Sequence, residues 1–241
     1  MKLPTIKGII KRRVLINYRA DPDIVQKILP KSFKPKLKKT YAIAGICLIR
    51  LEQMRPNRFP KLVGISSENA AHRVAIEWEE NGEVKEGVFI PRRDTDSTLN
   101  HIAGGTIFPG EHSKATFEIK EADEIDFSMK SEDEEVSLSF RARHSDEFPT
   151  DSVFPSLQEA SRFFEKGSLG YSPNKIDANL DGISLDIQDW KVSPLEILSV
   201  ESSFYNNEQI FPQGSIEFDH ALLMRDIAHK WNSTRSFALE N

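Results

Sequence analysis

Hydrophobic and polar positions alternate with a period of two over much of this chain. The clearest run places His72, Val74, Ile76 and Trp78 on one side of an extended backbone and Arg73, Ala75, Glu77 and Glu79 on the other. Asn81-Gly82 follows, a pair suited to the positive-φ positions of a tight turn, and Val84–Ile90 returns, so a hairpin is predicted. Val136, Leu138, Phe140 and Ala142 alternate with Ser137, Ser139, Arg141 and Arg143. With Ala115–Lys120 and Glu124–Lys130 they predict a meander, and Glu132–Glu135 is its solvated tip. Arg13–Tyr18 reads as an opening strand, and Tyr41–Leu51, apolar at both parities, as a strand covered on both faces. Two later strands are predicted over Ile183–Val192 and Leu195–Tyr205.

Helical signals are fewer. Asp21 caps and Pro22 opens a short helix that Pro30 stops, with Ile24, Val25, Ile28 and Leu29 on its buried face. Ser156-Leu157-Gln158-Glu159 is a capping box that turns Ala160, Phe163 and Phe164 inward, and Gly167 suits the C-cap. Leu223, Ile227 and Trp231, spaced by four, predict a final amphipathic helix from about Phe218 to Trp231. No internal repeat or shift in composition divides the chain. The expectation is one domain over residues 1–241: an α+β fold, an antiparallel β-barrel or sandwich with a few peripheral helices.

Composition narrows the classes of function. A chain of 241 residues, 39% hydrophobic and 29% charged, can bury a substantial core, and a net charge of −5 disfavours general affinity for nucleic acid. The basic stretch Lys31–Lys39 carries Phe33 as its single aromatic residue and reads as a solvated face. Cys47 is the only cysteine, so neither an intramolecular disulfide nor a cysteine-based zinc site can form. Within Ile43–Ile49 it reads as a small buried hydrophobe. The run Gly8-Ile9-Ile10 is broken at once by Lys11-Arg12-Arg13, and no stretch has the length of a membrane span. A cytoplasmic protein without membrane association is expected.

Glycine-rich nucleotide loops, HExxH and GxSxG are absent. Three clusters carry candidate chemistry. Glu68–Arg73 brings a carboxylate, an imidazole and a guanidinium together, although a strand would point His72 and Arg73 to opposite faces. Arg92-Arg93-Asp94-Thr95-Asp96 is either a set of surface ion pairs or a pair of forks for a carboxylate or phosphate. His101–Lys114 contains Gly104-Gly105, Phe108-Pro109-Gly110 and Glu111-His112, where glycines admit close approach of a ligand or simply shape a loop. His72, His101 and His112 with Glu68 and Glu111 have ligand chemistry, but their spacing is not diagnostic of a metal site, and no metal or cofactor is expected.

In their order along the chain these segments resemble the acetoacetate decarboxylase-like superfamily, and within it an uncharacterised bacterial branch. The resemblance lies in Asn17–Asp23 with Ile28-Leu29-Pro30, in Ile49–Glu52, in Ser67-Glu68-Asn69 running on through Arg73, in Glu86–Phe89, and in Trp190–Pro194. It implies that Glu52 and Glu68 correspond to the two glutamates of the decarboxylase cavity and that an arginine is supplied by the first strand, for which Arg12 and Arg13 are the candidates. In the decarboxylases a Tyr-Pro or Phe-Pro step leads into paired lysines, one of which forms a Schiff base. Here Phe108-Pro109 leads into Gly110-Glu111, and Lys114 is the nearest amine.

The sequence therefore supports a barrel cavity for a small organic acid or carbonyl ligand without the lysine pair. Glu68, Glu111 and Glu52 are candidates for lyase- or hydrolase-type acid/base chemistry. Arg73, His112, Arg12 and Lys114 are candidates for ligand binding. A non-enzymatic small-molecule-binding protein and a Schiff-base decarboxylase using Lys114 are the alternatives. An apolar edge or helix face is compatible with a homo-oligomer.

Overall fold

β-branched and aromatic residues favour extended backbone in β1 (Ile6–Ala20), the first long strand. The computed structural model describes residues 5–106, 108–175 and 179–239. Asp21 caps α1 (Pro22–Gln26) by accepting from the amides of Asp23 and Ile24, and the helix ends before Pro30 is reached. Two short strands, β2 (Lys34–Pro35) and β3 (Leu37–Lys38), lead to β4 (Tyr41–Pro56). After one 3-10 turn at Lys61–Val63 the chain forms the expected hairpin of β5 (Ile65–Glu80) and β6 (Glu83–Thr95). Asn81 and Gly82 supply the turn with φ of 54° and 76°.

A helix that alternation does not reveal, α2 (Thr98–Ala103), comes next; its Leu99 and Ile102 are exposed and only Ala103 of the helix is buried. The meander follows as β7 (Ser113–Glu121), β8 (Glu124–Ser131) and β9 (Ser137–His144). Ser156 caps α3 (Leu157–Lys166), its hydroxyl accepting from the Glu159 amide at 3.2 Å. Then come β10 (Leu169–Pro173), β11 (Leu180–Ile187), β12 (Ser193–Ser202) and β13 (Ile216–Ser233).

β13 occupies the segment expected to be the final amphipathic helix. It pairs with β1 from Ile6 opposite Trp231 to Ala20 opposite Ile216, and its other edge meets β12 and β11. A spacing of four residues is common to the helical and the extended period, so Leu223, Ile227 and Trp231 do not discriminate between them. Asp219 to Met224 are buried without interruption, as befits a strand between two layers, and Asp226 at φ 55° then breaks the alternation.

Strand pairing runs β11-β10-β6-β7-β8-β9-β12-β13-β1-β4-β5-β2, and two further pairings, β5 with β6 and β11 with β13, close it into two circuits. β13, β1, β4, β5 and β6 form the wall common to both. The sheet is antiparallel except where β6 meets β7 and β10 in parallel. Each shared strand turns alternate residues to two cores. Val14, Ile16, Leu48, Val74 and Leu223 belong to the larger core, with Phe127 and Phe140 of the meander. Leu15, Cys47, Ala75 and Leu222 belong to the smaller one, closed by Ala160 and Phe164 of α3 and by Phe154 just before it.

Candidate functional site

The smaller core is not wholly apolar. At one level across the sheet Leu15 pairs with Cys47, Cys47 with Ala71 and Ala71 with Arg93. At the next level Asn17 pairs with Gly45 and Gly45 with Arg73. Arg13, two residues before Leu15, lies on the same face. Three guanidinium groups thus gather about Cys47.

Arg13 donates from Nε to Cys47 Sγ at 3.1 Å, and its Cζ lies 5.6 Å from the Trp190 ring centroid. Arg73 donates from Nη2 to Asn17 Oδ1, and its Cζ lies 4.8 Å from the Phe164 ring centroid. Arg93 donates from Nε to Ser172 Oγ at 2.9 Å. Among the described residues Arg73 Nε and Arg93 Nη2 are buried without an acceptor. Among the described residues none of the three forms an ion pair with a carboxylate. Burial in this weakly compensated setting lowers the pKa of Arg73 and of Arg93 to about 10. A space of about 30 Å³, the size of one water, lies between Arg13 and Arg73 on one side and Phe163 and Phe164 on the other. Lys36 stands beside it, 4.2 Å from the Phe163 ring centroid and 2.6 Å from Glu86.

A polar chain runs inward from Arg73. Asn17 Nδ2 lies 3.1 Å from His220 Nε2, and His220 Nδ1 lies 2.6 Å from Asp219 Oδ2. Burial lowers the pKa of His220 although Asp219 opposes it, so the neutral ring donates to Asp219 and accepts from Asn17. Burial works to raise the pKa of Asp219. Hydrogen bonds from His220, Ser152 and the Val153 amide outweigh it and hold the carboxyl below its usual range. This fixes Asn17 with its oxygen towards Arg73. Gly45 lies between them, where any Cβ would collide with the Ile16 carbonyl and stand 3.2 Å from Asn17 Oδ1.

The carboxylates singled out in the sequence lie elsewhere. Arg12, 1% exposed, holds Glu68 Oε2 at 2.6 Å and also Glu121, and its Cζ lies 5.8 Å from the Phe127 ring centroid. Arg50 bridges Glu68 at 3.3 Å and Glu52 at 3.1 Å. Arg12, Glu52 and Glu68 therefore share one ion-pair network. Burial raises the Glu68 pKa against the pull of Arg12 and Arg50. Glu111 is exposed, 3.8 Å from Lys175. Lys114 donates from Nζ to the Asp96 carbonyl. His112 Nδ1 meets the Gly110 carbonyl at 2.9 Å, and burial together with the nearby Arg93 charge lowers its pKa to about 3. His101 Nδ1 contacts the His112 carbonyl at 2.7 Å, while His72 is buried against Phe204. Among the described residues no group of three or more metal-ligating side chains is placed to hold an ion.

Arg73 was legible as a binding candidate, and Arg93 as one of the two forks in Arg92–Asp96; Cys47 was not. Alternation separates Arg93 from Arg92, which pairs with Asp94, Asp133 and Glu135 at 2.7, 2.8 and 2.9 Å. The loop expected to correspond to the lysine pair borders this same chamber: Gly110, at φ 81°, would place a Cβ 2.9 Å from Arg93 Nε, and its amide donates to Asp181 at 3.0 Å.

A family model, DUF2071, described as "Uncharacterized conserved protein", matches residues 10–220. The chain belongs to this family. No curated protein matches the sequence. Among solved structures, acetoacetate decarboxylase from Legionella pneumophila subsp. pneumophila str. Philadelphia 1 aligns with a TM-score of 0.65 at 14% identity, over 99% of this chain and 89% of its own. An acetoacetate decarboxylase-like enzyme from Sphingomonas wittichii RW1 aligns at 0.61 and 11% identity, over 99% and 94%. The enduracididine biosynthesis enzyme MppR complexed with pyruvate aligns at 0.57 and 13%, over 99% and 91%. At these identities the likeness establishes an acetoacetate decarboxylase-like fold for this DUF2071 member. Among the described residues no helix is long and apolar enough to cross a membrane.

Proposed function

We propose that this DUF2071 protein binds a small oxo acid at the Arg13, Arg73 and Arg93 cluster and does so without a Schiff base. The carrying observation is that three guanidinium groups share one enclosed face and none is paired with a carboxylate among the described residues. Arg73 is buried, Arg13 and Arg93 are half-buried, and Asp181 acts on Arg93 without forming an ion pair; cations held this way are costly, and a ligand carboxylate would offset that cost through charge-assisted, bidentate hydrogen bonds. MppR, which shares the fold, has been solved with pyruvate. The space beside Arg73 is about 30 Å³, so an oxo acid is accommodated only as the Phe163–Phe164 wall of α3 moves outward. At the loop position implied to hold the paired lysines stand Gly110 and Glu111, neither able to form an imine. This favours binding, or polarisation of a carbonyl by guanidinium, over Lys114 chemistry.

Titration calorimetry with pyruvate and acetoacetate tests the reading. Saturable binding by the wild type and its loss in Arg73→Met/Arg93→Met are expected, with no borohydride-trapped adduct on Lys114. Absence of saturation up to about 10 mM, a concentration that would detect even millimolar affinity, overturns the proposal. So does retained binding in the double variant. A trapped adduct on Lys114 would restore the decarboxylase alternative.

A further inference from the structure

Near the start of β1, residues of β1, β4, β11 and β13 line a cavity of about 260 Å³ that shares no lining residue with the space beside Arg73. Its charges are unbalanced: Lys7, Arg55, Lys61 and Lys230 face a single carboxylate, Asp186. Arg55 is buried, and among the described residues its guanidinium donates to backbone carbonyls, those of Gln53 at 2.5 Å and Phe59 at 3.3 Å. Among the described residues none of these four cations forms an ion pair.

Two uncharged polar groups also face this space. Among the described residues Gln53 Oε1 is buried without a donor. His229 is 3% exposed, and among the described residues neither ring nitrogen reaches a partner at hydrogen-bond geometry, although the Ile227 carbonyl lies beside the ring. Gln53 sits at φ 55°, where the register of β4 against β5 shifts between Leu51 and Met54. A left-handed non-glycine residue stores strain, and such strain gathers where a side chain is being aimed. A cavity with four unpaired cations, a lone amide oxygen and a lone imidazole calls for a molecule with both negative and hydroxyl groups.

We propose that this cavity is a second ligand site, for a small hydroxylated oxyanion. The cations receive the oxyanion, Gln53 Oε1 accepts a ligand hydroxyl, and neutral His229 supplies a further hydrogen bond. A hydroxy-carboxylate and a polyol phosphate share this chemistry.

The test uses the full chain at low salt, with glycerate and glycerol 3-phosphate as probes and glycerol as the uncharged control. The readouts are the imidazole NMR signals of His229 and the fluorescence of the tryptophans, Trp231 lying 5.5 Å from His229 between ring centroids. A saturable change with one or both anions and none with glycerol is expected, and the tighter anion identifies the class. Lys61→Glu/Lys230→Glu is expected to weaken binding by about tenfold or more, since reversing charge at a site repels an anion. Arg73→Met is expected to leave it unchanged. Lys61 is on an exposed turn, and unchanged NMR signals remote from the cavity verify that the double variant is folded. No saturation by either anion, an equal response to glycerol, or undiminished affinity in the double variant overturns the proposal. Loss in Arg73→Met also does so, by transferring the effect to the oxo-acid chamber.

Discussion

At the residue scale, the informative side chains are polar groups placed where strand patterns lead one to expect hydrocarbon. His72 is fully buried, and burial, with the Arg92 charge, lowers its pKa from 6.5 to about 3. The unfolded chain then binds more protons than the folded one between those values, so stability falls as pH drops through 6.5 towards 3. In His72→Phe, which keeps a ring against Phe204, the loss between pH 5.5 and 4.5 is expected to shrink by about 1.4 kcal/mol per pH unit. Urea unfolding at the two pH values measures it. Arg73 makes the opposite trade. Arg73→Met is expected to raise the stability of the unliganded protein by about 1 kcal/mol and to abolish oxo-acid binding. A rise in urea midpoint alongside flat calorimetry would be the signature. Arg73 could be named from the sequence because it ends the polar run Glu68–Arg73, where a guanidinium stands close to a carboxylate and an imidazole. Cys47 could not, because a thiol within Ile43–Ile49 reads as one more small hydrophobe until the Arg13 guanidinium is found 3.1 Å away.

At the element scale, the hairpin, meander and α3 were legible because each carries a local cause: a positive-φ turn, strict alternation, a capping serine. β13 was not, because its neighbours decide it. Ala221-Leu222-Leu223-Met224 suits a helix by propensity, but β1 pairs with all four residues on one edge and β12 with Ala221 to Leu223 on the other, offering the backbone inter-strand partners in place of internal ones. Contact between β1 and β4 depends on an equally non-local requirement at Gly45. Gly45→Ala is expected to destabilise the fold by about 2–4 kcal/mol, because the obstructing atom is a backbone carbonyl that cannot swing aside. It is also expected to weaken oxo-acid binding by displacing Asn17 from Arg73. Chemical unfolding and calorimetry on the same preparation would separate the two effects. A variant as stable as wild type would remove Gly45 from this account.

At the scale of the whole molecule, most of the long strands were readable along the chain, β13 excepted, but their closure into two circuits was not, since closure depends on pairings between β11 and β13 that lie far apart in sequence. The same holds for the C-terminal segment. Phe237 bridges to Leu180 and places its ring 4.7 Å from Phe33 and 5.3 Å from Tyr171, with Trp78 at 6.1 Å. Phe237→Ala is expected to cost about 3 kcal/mol and to change Trp78 emission in the folded state. An unaltered spectrum and midpoint would show that the segment contributes nothing to the core.

The shared wall of β13, β1, β4, β5 and β6 also bears on how the chain avoids error while folding. In a sheet with one wet face, a slip of one residue exchanges core for solvent, and water can solvate some of the misplaced groups. Here both faces of the wall are interiors. A one-residue slip of β5 would drive Arg73 into the hydrocarbon around Phe127 and Phe140 while turning Val74 towards the arginine chamber. Neither mistake has a solvent to soften it. The guanidinium cluster proposed to hold a ligand is therefore also a proofreading device, penalising every odd register during folding before any ligand is met.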